Sequence, residues 1–341
     1  MEETPFGALP VFSLPLPSLA LPAAIPSPLA MVWRVSEPAE RLVALDIETA
    51  ATVGGSRECP FVIGLAWQDR SSLRLEQLVL RGMDDETAAL WALDQRLAEA
   101  SHLMTYNGSR FDLPLLDRRS RAVRHEPFCP SCDIIDLEPF TRAVFGRRGF
   151  SSKLTDVEDR VLAAVRPAWT WHPLWRENSA LSWRRRRHVA RILAKNGQDS
   201  LSLLMLFRVI CGLVECPGDD PLVPLFIARA FDRINPDAAV IWFERAADGP
   251  LTDIRLSAAL AAWRLGGLSR DRLEAVLEEG ARSSLADAWS AAEQLGLSAW
   301  RKKDLSAAVR WTEEALRHAP PTRDAARLSA RLSRWGARAT R

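Results

Sequence analysis

Apolar residues fall in short runs over the first half of the chain and recur at helical spacing over the second. Leu42-Val-Ala-Leu45 with Ile47, and Phe61 through Trp67, are apolar runs of strand length, while Leu73–Leu80 alternates apolar with polar residues as a half-buried strand does. Gly54-Gly55 supplies a turn between the first two runs. Over residues 84–100, Leu90, Leu93 and Leu97 share one helical face, and Asp84 or Asp85 is placed to cap the start. His102–Tyr106 and Ile134–Leu137 predict two more short strands. Between them a helix should begin near Arg110 and turn Phe111, Leu115 and Leu116 inward. From Lys153 to Leu213 the spacing is helical, broken by a stretch rich in Trp, Pro and His over 167–175. Strands first, then alternating helices and strands, predict an α/β fold: a mixed sheet with flanking helices.

Cys216-Pro-Gly-Asp-Asp-Pro221 interrupts this pattern and marks a boundary, giving an α/β domain over 36–215 and an all-α domain over 222–341. In the latter, Leu295-Gly296, Asp304-Leu305, Ala308, Ala315-Leu316 and Pro320 fall at the spacings of a tetratricopeptide unit. A weaker copy runs through Ala258, Ala262 and Leu265-Gly-Gly267. Residues 1–35 start with an acidic pair, and prolines interrupt each of their apolar runs. They are expected to be a disordered lead-in rather than a signal peptide or a membrane span. No other run reads as long and apolar enough to cross a bilayer.

A length of 341 residues suits two domains, and a net charge of +2 rules out a general polycation, so any nucleic-acid contact must be a local patch. Five cysteines make an odd count without a secreted-type framework, which favours a reducing, cytoplasmic setting.

The candidate chemistry is carried by acidic residues. Asp46 and Glu48 alternate with Ile47, so on a strand both carboxylates project from one face, and a divalent cation relieves their repulsion. Asn107-Gly-Ser-Arg-Phe-Asp112 would bring a third carboxylate from the start of a helix, with Asn107 placed to orient it or a water. Lys195-Asn-Gly-Gln-Asp199 would bring a fourth from a late helix. Four carboxylates from three elements suit a pair of hard divalent ions, which take oxygen ligands.

Asp46-x-Glu-Thr49, Asn107-x-x-x-Phe-Asp112 and the late Asp199 resemble the three exonuclease motifs of the DEDD (DnaQ-like) superfamily on the ribonuclease H fold. The surroundings are similar to the YprB-like group of RNase H-like nucleases, through Thr105–Leu115, Asp136-Leu137, Lys153-Leu-Thr-Asp-Val-Glu158 and Asn196-x-x-Asp-Ser-Leu-Ser-Leu203. The resemblance runs from about Leu42 to Leu213, and that group also has tetratricopeptide-like helices after the nuclease domain. It implies two Mg²⁺ or Mn²⁺ ions held by Asp46, Glu48, Asp112 and Asp199. It further implies 3′-to-5′ hydrolysis of single-stranded DNA or RNA, with Thr49, Asn107 and Phe111 as substrate contacts. One departure matters: where the superfamily has Tyr four residues before its last Asp, or His five before, this chain has Lys195 and Ala194. Lys195 can serve as a catalytic base only if its pKa is depressed. Alternatively it pairs with a carboxylate in place of a metal, which describes a catalytically impaired nucleic-acid-binding or scaffold protein that recruits partners through its repeats.

Two secondary signals accompany these. Arg184, Arg187 and Arg191, from a basic cluster on the helix of Asp199, are candidate phosphate contacts, and Trp169, Trp171 and Trp175 just before them could stack on unpaired bases. His125-x-x-x-Cys129-Pro-Ser-Cys132 has the spacing of a zinc half-site, although two partly buried thiols leading into a strand fit the residues better.

Overall fold

A computed structural model of the chain describes residues 1–51, 58–69, 72–146, 151–163, 183–250, 253–283 and 288–339. The chain divides into two units, Met1–Glu215 and Cys216–Arg341.

Among the described residues the first unit has eight strands: β1 (Glu2–Thr4), β2 (Gly7–Leu9), β3 (Val11–Pro17), β4 (Leu42–Ala51), β5 (Glu58–Asp69), β6 (Ser72–Val79), β7 (His102–Thr105) and β8 (Asp133–Asp136). β1 and β2 form a hairpin, and the other six make one mixed sheet in the order β3-β6-β5-β4-β7-β8. β3 to β4 pair antiparallel across the sheet, while β7 and β8 run parallel to β4. The helices are α1 (Ser27–Trp33), α2 (Glu86–Leu97), α3 (Asp112–Arg124), α4 (Glu138–Val144), α5 (Leu154–Val157), a short π-helical turn over Glu158–Leu162, and α6 (Trp183–Glu215).

The pleat of β4 sorts its residues. Val43, Leu45 and Ile47 face one side and join Leu90, Leu93 and Leu97 of α2 and Leu115 and Leu116 of α3 in the main core. Asp46 and Glu48 lie in the alternate set, on the side where α6 packs. The Leu pattern that predicted α2 is thus its core face, but Asp85 does not cap it. Its carboxylate instead accepts from the Arg81 backbone N–H at 2.7 Å and pairs with the Arg81 guanidinium.

Two expectations are corrected here. Residues 1–35 are not a loose lead-in, because β3 adds to the outer edge of the sheet in full register with β6, from Val11↔Leu78 to Pro17↔Ser72. Pro15 and Pro17 are two residues apart, so both rings fall on the open side of an edge strand, where no donor is needed. Arg96 of α2 also holds Glu2 and Glu76 together, tying the hairpin to the sheet. In addition, Val189–Glu215 is long and apolar enough to cross a membrane by length and composition. Most of it is buried within the fold, as expected of the core helix over a sheet.

The second unit contains α7 (Leu222–Phe231), α8 (Pro236–Asp248), α9 (Asp253–Arg264), α10 (Arg270–Ala281), α11 (Ala288–Arg301), α12 (Leu305–His318) and α13 (Arg323–Ala339). Small residues set its close approaches. A Cβ on Gly296 of α11 would stand 3.0 Å from Thr312 Oγ1 of α12, beside buried Ala308 and Ala315. Asp304 caps α12 by accepting from the Ala307 N–H.

Candidate metal centre

β7 pairs with β4 only from Leu42 to Ala44, so β4 runs on beyond its parallel neighbour. Asp46 and Glu48 sit on that extension, opposite Gly64 and Val62 of β5. The register shifts between Glu48 and Thr49, which leaves Phe61 without a β4 partner and bends the strand just past the two carboxylates. Thr49, immediately after the bulge, is exposed.

α6 closes on this strip because β5 carries Gly64 there. A Cβ at Gly64 would lie 2.2 Å from Asn196 Oδ1 and 2.7 Å from Ser200 Oγ. The bare backbone lets Asn196 descend to the sheet, where its Nδ2 donates to both the carbonyl and Oδ2 of Asp46 at 2.9 Å. Gln77 of β6 donates in turn to Asn196 Oδ1 and to the Leu193 carbonyl, each at 2.8 Å. This buried chain fixes the rotation of α6 and so aims Asp199, one turn beyond Lys195, at β4. Asn196 and Gln77 were not among the expected site residues. Asn196 lies within a quoted motif, but nothing in the order of residues tells that its amide reaches Asp46.

Asp46, Glu48 and Asp199 converge: an oxygen from each lies within 4.8 Å of the other two. Burial, then the neighbouring Asp199 charge, pushes the Asp46 carboxyl up to about 8, with Lys195 acting against them. Burial and mutual repulsion thus both disfavour the ionised Asp46 carboxyl, and either a proton or a cation among these oxygens relieves them. The fit to a hard divalent cation is good, since all three donors are carboxylate oxygens and a cation would remove the conflict.

Asp112 stands apart from this triad but within its field. Burial and then Asp136 push its carboxyl up to about 6, and Glu48 adds to the rise. It begins α3 at the end of a loop clasped by Asp136, which accepts from the backbone N–H groups of Asn107 at 2.7 Å and Ser109 at 3.2 Å. Asn107 takes φ 60°, and its contact in the site region is this backbone one. Asp136 is thus a further residue the sequence marked only as part of a similar stretch. Phe111 points outward and is 66% exposed, contrary to the inward turn its spacing predicted, because it precedes the first turn of α3 rather than lying in it.

Lys195 is half-exposed, with its Nζ 2.5 Å from Glu48 Oε1 and 2.9 Å from Asp199 Oδ2. Burial works against its charge, but the hydrogen bonds to Asp199 and Glu48 outweigh it and hold the ammonium above the usual lysine range. The depressed pKa that a general base would need is the reverse of what these neighbours produce. In this arrangement Lys195 is a cation bridging two carboxylates.

Arg191 is exposed on α6, two turns before Asp199. The side chains of Arg184 and Arg187, and Trp169, Trp171 and Trp175, lie outside the described residues. Cys129 is exposed and Cys132 partly buried against the main core. Among the described residues the triad is the single group of three metal-ligating side chains, and His125, Cys129 and Cys132 do not form another.

Residues 43–211 match a family model, RNase_H_2, described as RNase H superfamily. The six-stranded mixed sheet with flanking helices, followed by a helical unit, is consistent with an RNase H-like fold plus a helical domain. No curated protein matches the chain. The match covers β4 to most of α6, the span that delivers Asp46, Glu48, Asp112 and Asp199.

Proposed function

We propose that the protein is a metal-dependent nuclease that hydrolyses phosphodiester bonds of single-stranded nucleic acid, working from the 3′ end. The convergence of Asp46, Glu48 and Asp199 on the α6 side of β4 carries the reading, within a span matching the RNase H superfamily. Asp46, Glu48 and Asp199 would hold Mg²⁺ or Mn²⁺, and Asp112 would complete the set for a second ion from the end of the clasped loop. Bound there, the ions would supply an activated hydroxide and steady the leaving oxygen. Asn196 keeps the Asp46 carboxylate turned toward α6 while leaving one of its oxygens uncommitted to the amide. Exposed Phe111, beside Asp112, is a surface on which a terminal base could stack.

Lys195 occupies the side of the triad between Glu48 and Asp199, where it offsets charge without metal. As an ammonium it would donate to a phosphate oxygen or to the attacking water rather than take a proton from it. The same bridge motivates a second reading, a non-catalytic RNase H-like protein in which Lys195 permanently replaces a metal and the helical unit recruits a partner.

Incubation of end-labelled single-stranded RNA and DNA with Mn²⁺, Mg²⁺ or EDTA, wild type beside Asp46→Ala, separates the two. The nuclease reading expects metal-dependent shortening from the 3′ end by the wild type alone. Equal cutting by both proteins would refute it, and no cutting by either would favour the second reading.

A further inference from the structure

Charge is unevenly shared along the chain. Residues 301–341 carry eleven Lys and Arg against four Asp and Glu, a net of +7, so that with +2 overall the preceding residues are at −5. Five of these arginines, Arg323, Arg327, Arg331, Arg334 and Arg338, lie on α13 at spacings of four, four, three and four residues. At 3.6 residues per turn they fall within an arc of about 80° along one face of the helix. Like charges one turn apart repel, so a stripe of this length destabilises its own helix unless anions neutralise it.

The fold neutralises only part of it. Arg327 and Arg331 both grip Glu293 of α11, with Arg331 at 2.6 Å, and Arg327 also reaches Asp324. Among the described residues no carboxylate lies within ion-pair distance of Arg323, Arg334 or Arg338, and all three are exposed. Aromatic rings border the stripe: Trp300 and Trp335 stack with centroids 4.6 Å apart, Arg338 lies over Trp300 at 5.4 Å and Arg331 over Trp335 at 5.5 Å. The apolar side chains flanking the stripe, Leu328 and Trp335, are buried in the fold, so they are not available for insertion into a lipid surface.

We propose that the arginine face of α13 is a docking track for the phosphate backbone of single-stranded nucleic acid. Guanidinium groups repeating along a helix offer bidentate contacts to successive phosphates without reading sequence. The inference extends the nuclease reading, from which it takes the class of polyanion, but it concerns binding and not cleavage.

The test is fluorescence anisotropy of labelled single-stranded RNA and DNA oligonucleotides with the full chain in EDTA, across a salt series. Wild type is compared with Arg323→Gln/Arg334→Gln/Arg338→Gln, and circular dichroism checks the helices of each. The triple variant should bind more weakly and flatten the slope of log affinity against log salt by about 2, as expected when three phosphate contacts are lost. Unchanged affinity and slope in the triple variant would overturn the proposal. So would wild-type binding to phosphatidylserine vesicles but not to oligonucleotides. Stripe-dependent binding without metal-dependent cutting would remove the nuclease reading and leave this one standing.

Discussion

Removing the Lys195 ammonium leaves Glu48 and Asp199 facing each other without the cation that now bridges them. Lys195→Met should therefore lower the melting temperature without metal and raise the affinity for Mn²⁺, because protein and ion no longer compete for the same oxygens. Thermal unfolding with and without Mn²⁺ reads both effects, and a variant whose metal affinity falls would show that Lys195 assists the ion rather than competing with it. Asn196 acts on the other side of the triad, where its amide holds the Asp46 carboxylate and carbonyl. Asn196→Ala frees that carboxylate, and loss of such an orienting partner lowers metal affinity by roughly 10- to 100-fold. An unchanged dissociation constant would mean that burial alone orients Asp46.

The approach of α6 to the sheet depends on one missing side chain. A Gly64→Ala Cβ would meet Asn196 and Ser200, so the helix must lift, at a cost of about 1–3 kcal/mol by analogy with overpacked cores. Chemical denaturation should register the loss, and Mn²⁺ binding should weaken with it. A fully stable variant with normal binding would contradict this account of how Asp199 is aimed. The central strands and the main helices were legible in the chain because buried runs and the Leu90-Leu93-Leu97 stripe are local signals. The pairing of Asp46 with Glu48 was legible for the same reason, since strand pleating fixes it. The Asn196–Asp46 and Gln77–Asn196 bonds span about 150 and 119 residues, and no local pattern encodes them. β3 was misread because prolines spaced by two weaken an isolated strand yet cost an edge strand nothing. Phe111 was misplaced because helical spacing was extended one residue before the helix begins.

The sheet unit carries the acidic centre, and within the helical unit the positive charge is gathered at the end, with +7 over residues 301–341 against −5 over residues 216–300. The α13 stripe is anchored internally through Glu293. Burial raises that carboxyl, but hydrogen bonds from Arg327 and Arg331 outweigh it and hold it below the ordinary 4.5. A carboxyl depressed by folding stabilises the native state fully above its unfolded value, and this contribution disappears as pH falls through the lower folded value. Thermal unfolding of the wild type should therefore lose more stability between pH 6 and pH 3 than that of Glu293→Gln. Parallel pH profiles would mean that Glu293 does not hold α13.

Calorimetric titration with Mn²⁺ tests the metal centre most directly, comparing wild type with Asp46→Asn and Asp199→Asn. Saturable binding by the wild type, lost or weakened by at least tenfold in each variant while circular dichroism is unchanged, is the predicted result. No binding by the wild type, or equal binding by all three proteins, would contradict a metal centre at Asp46, Glu48 and Asp199.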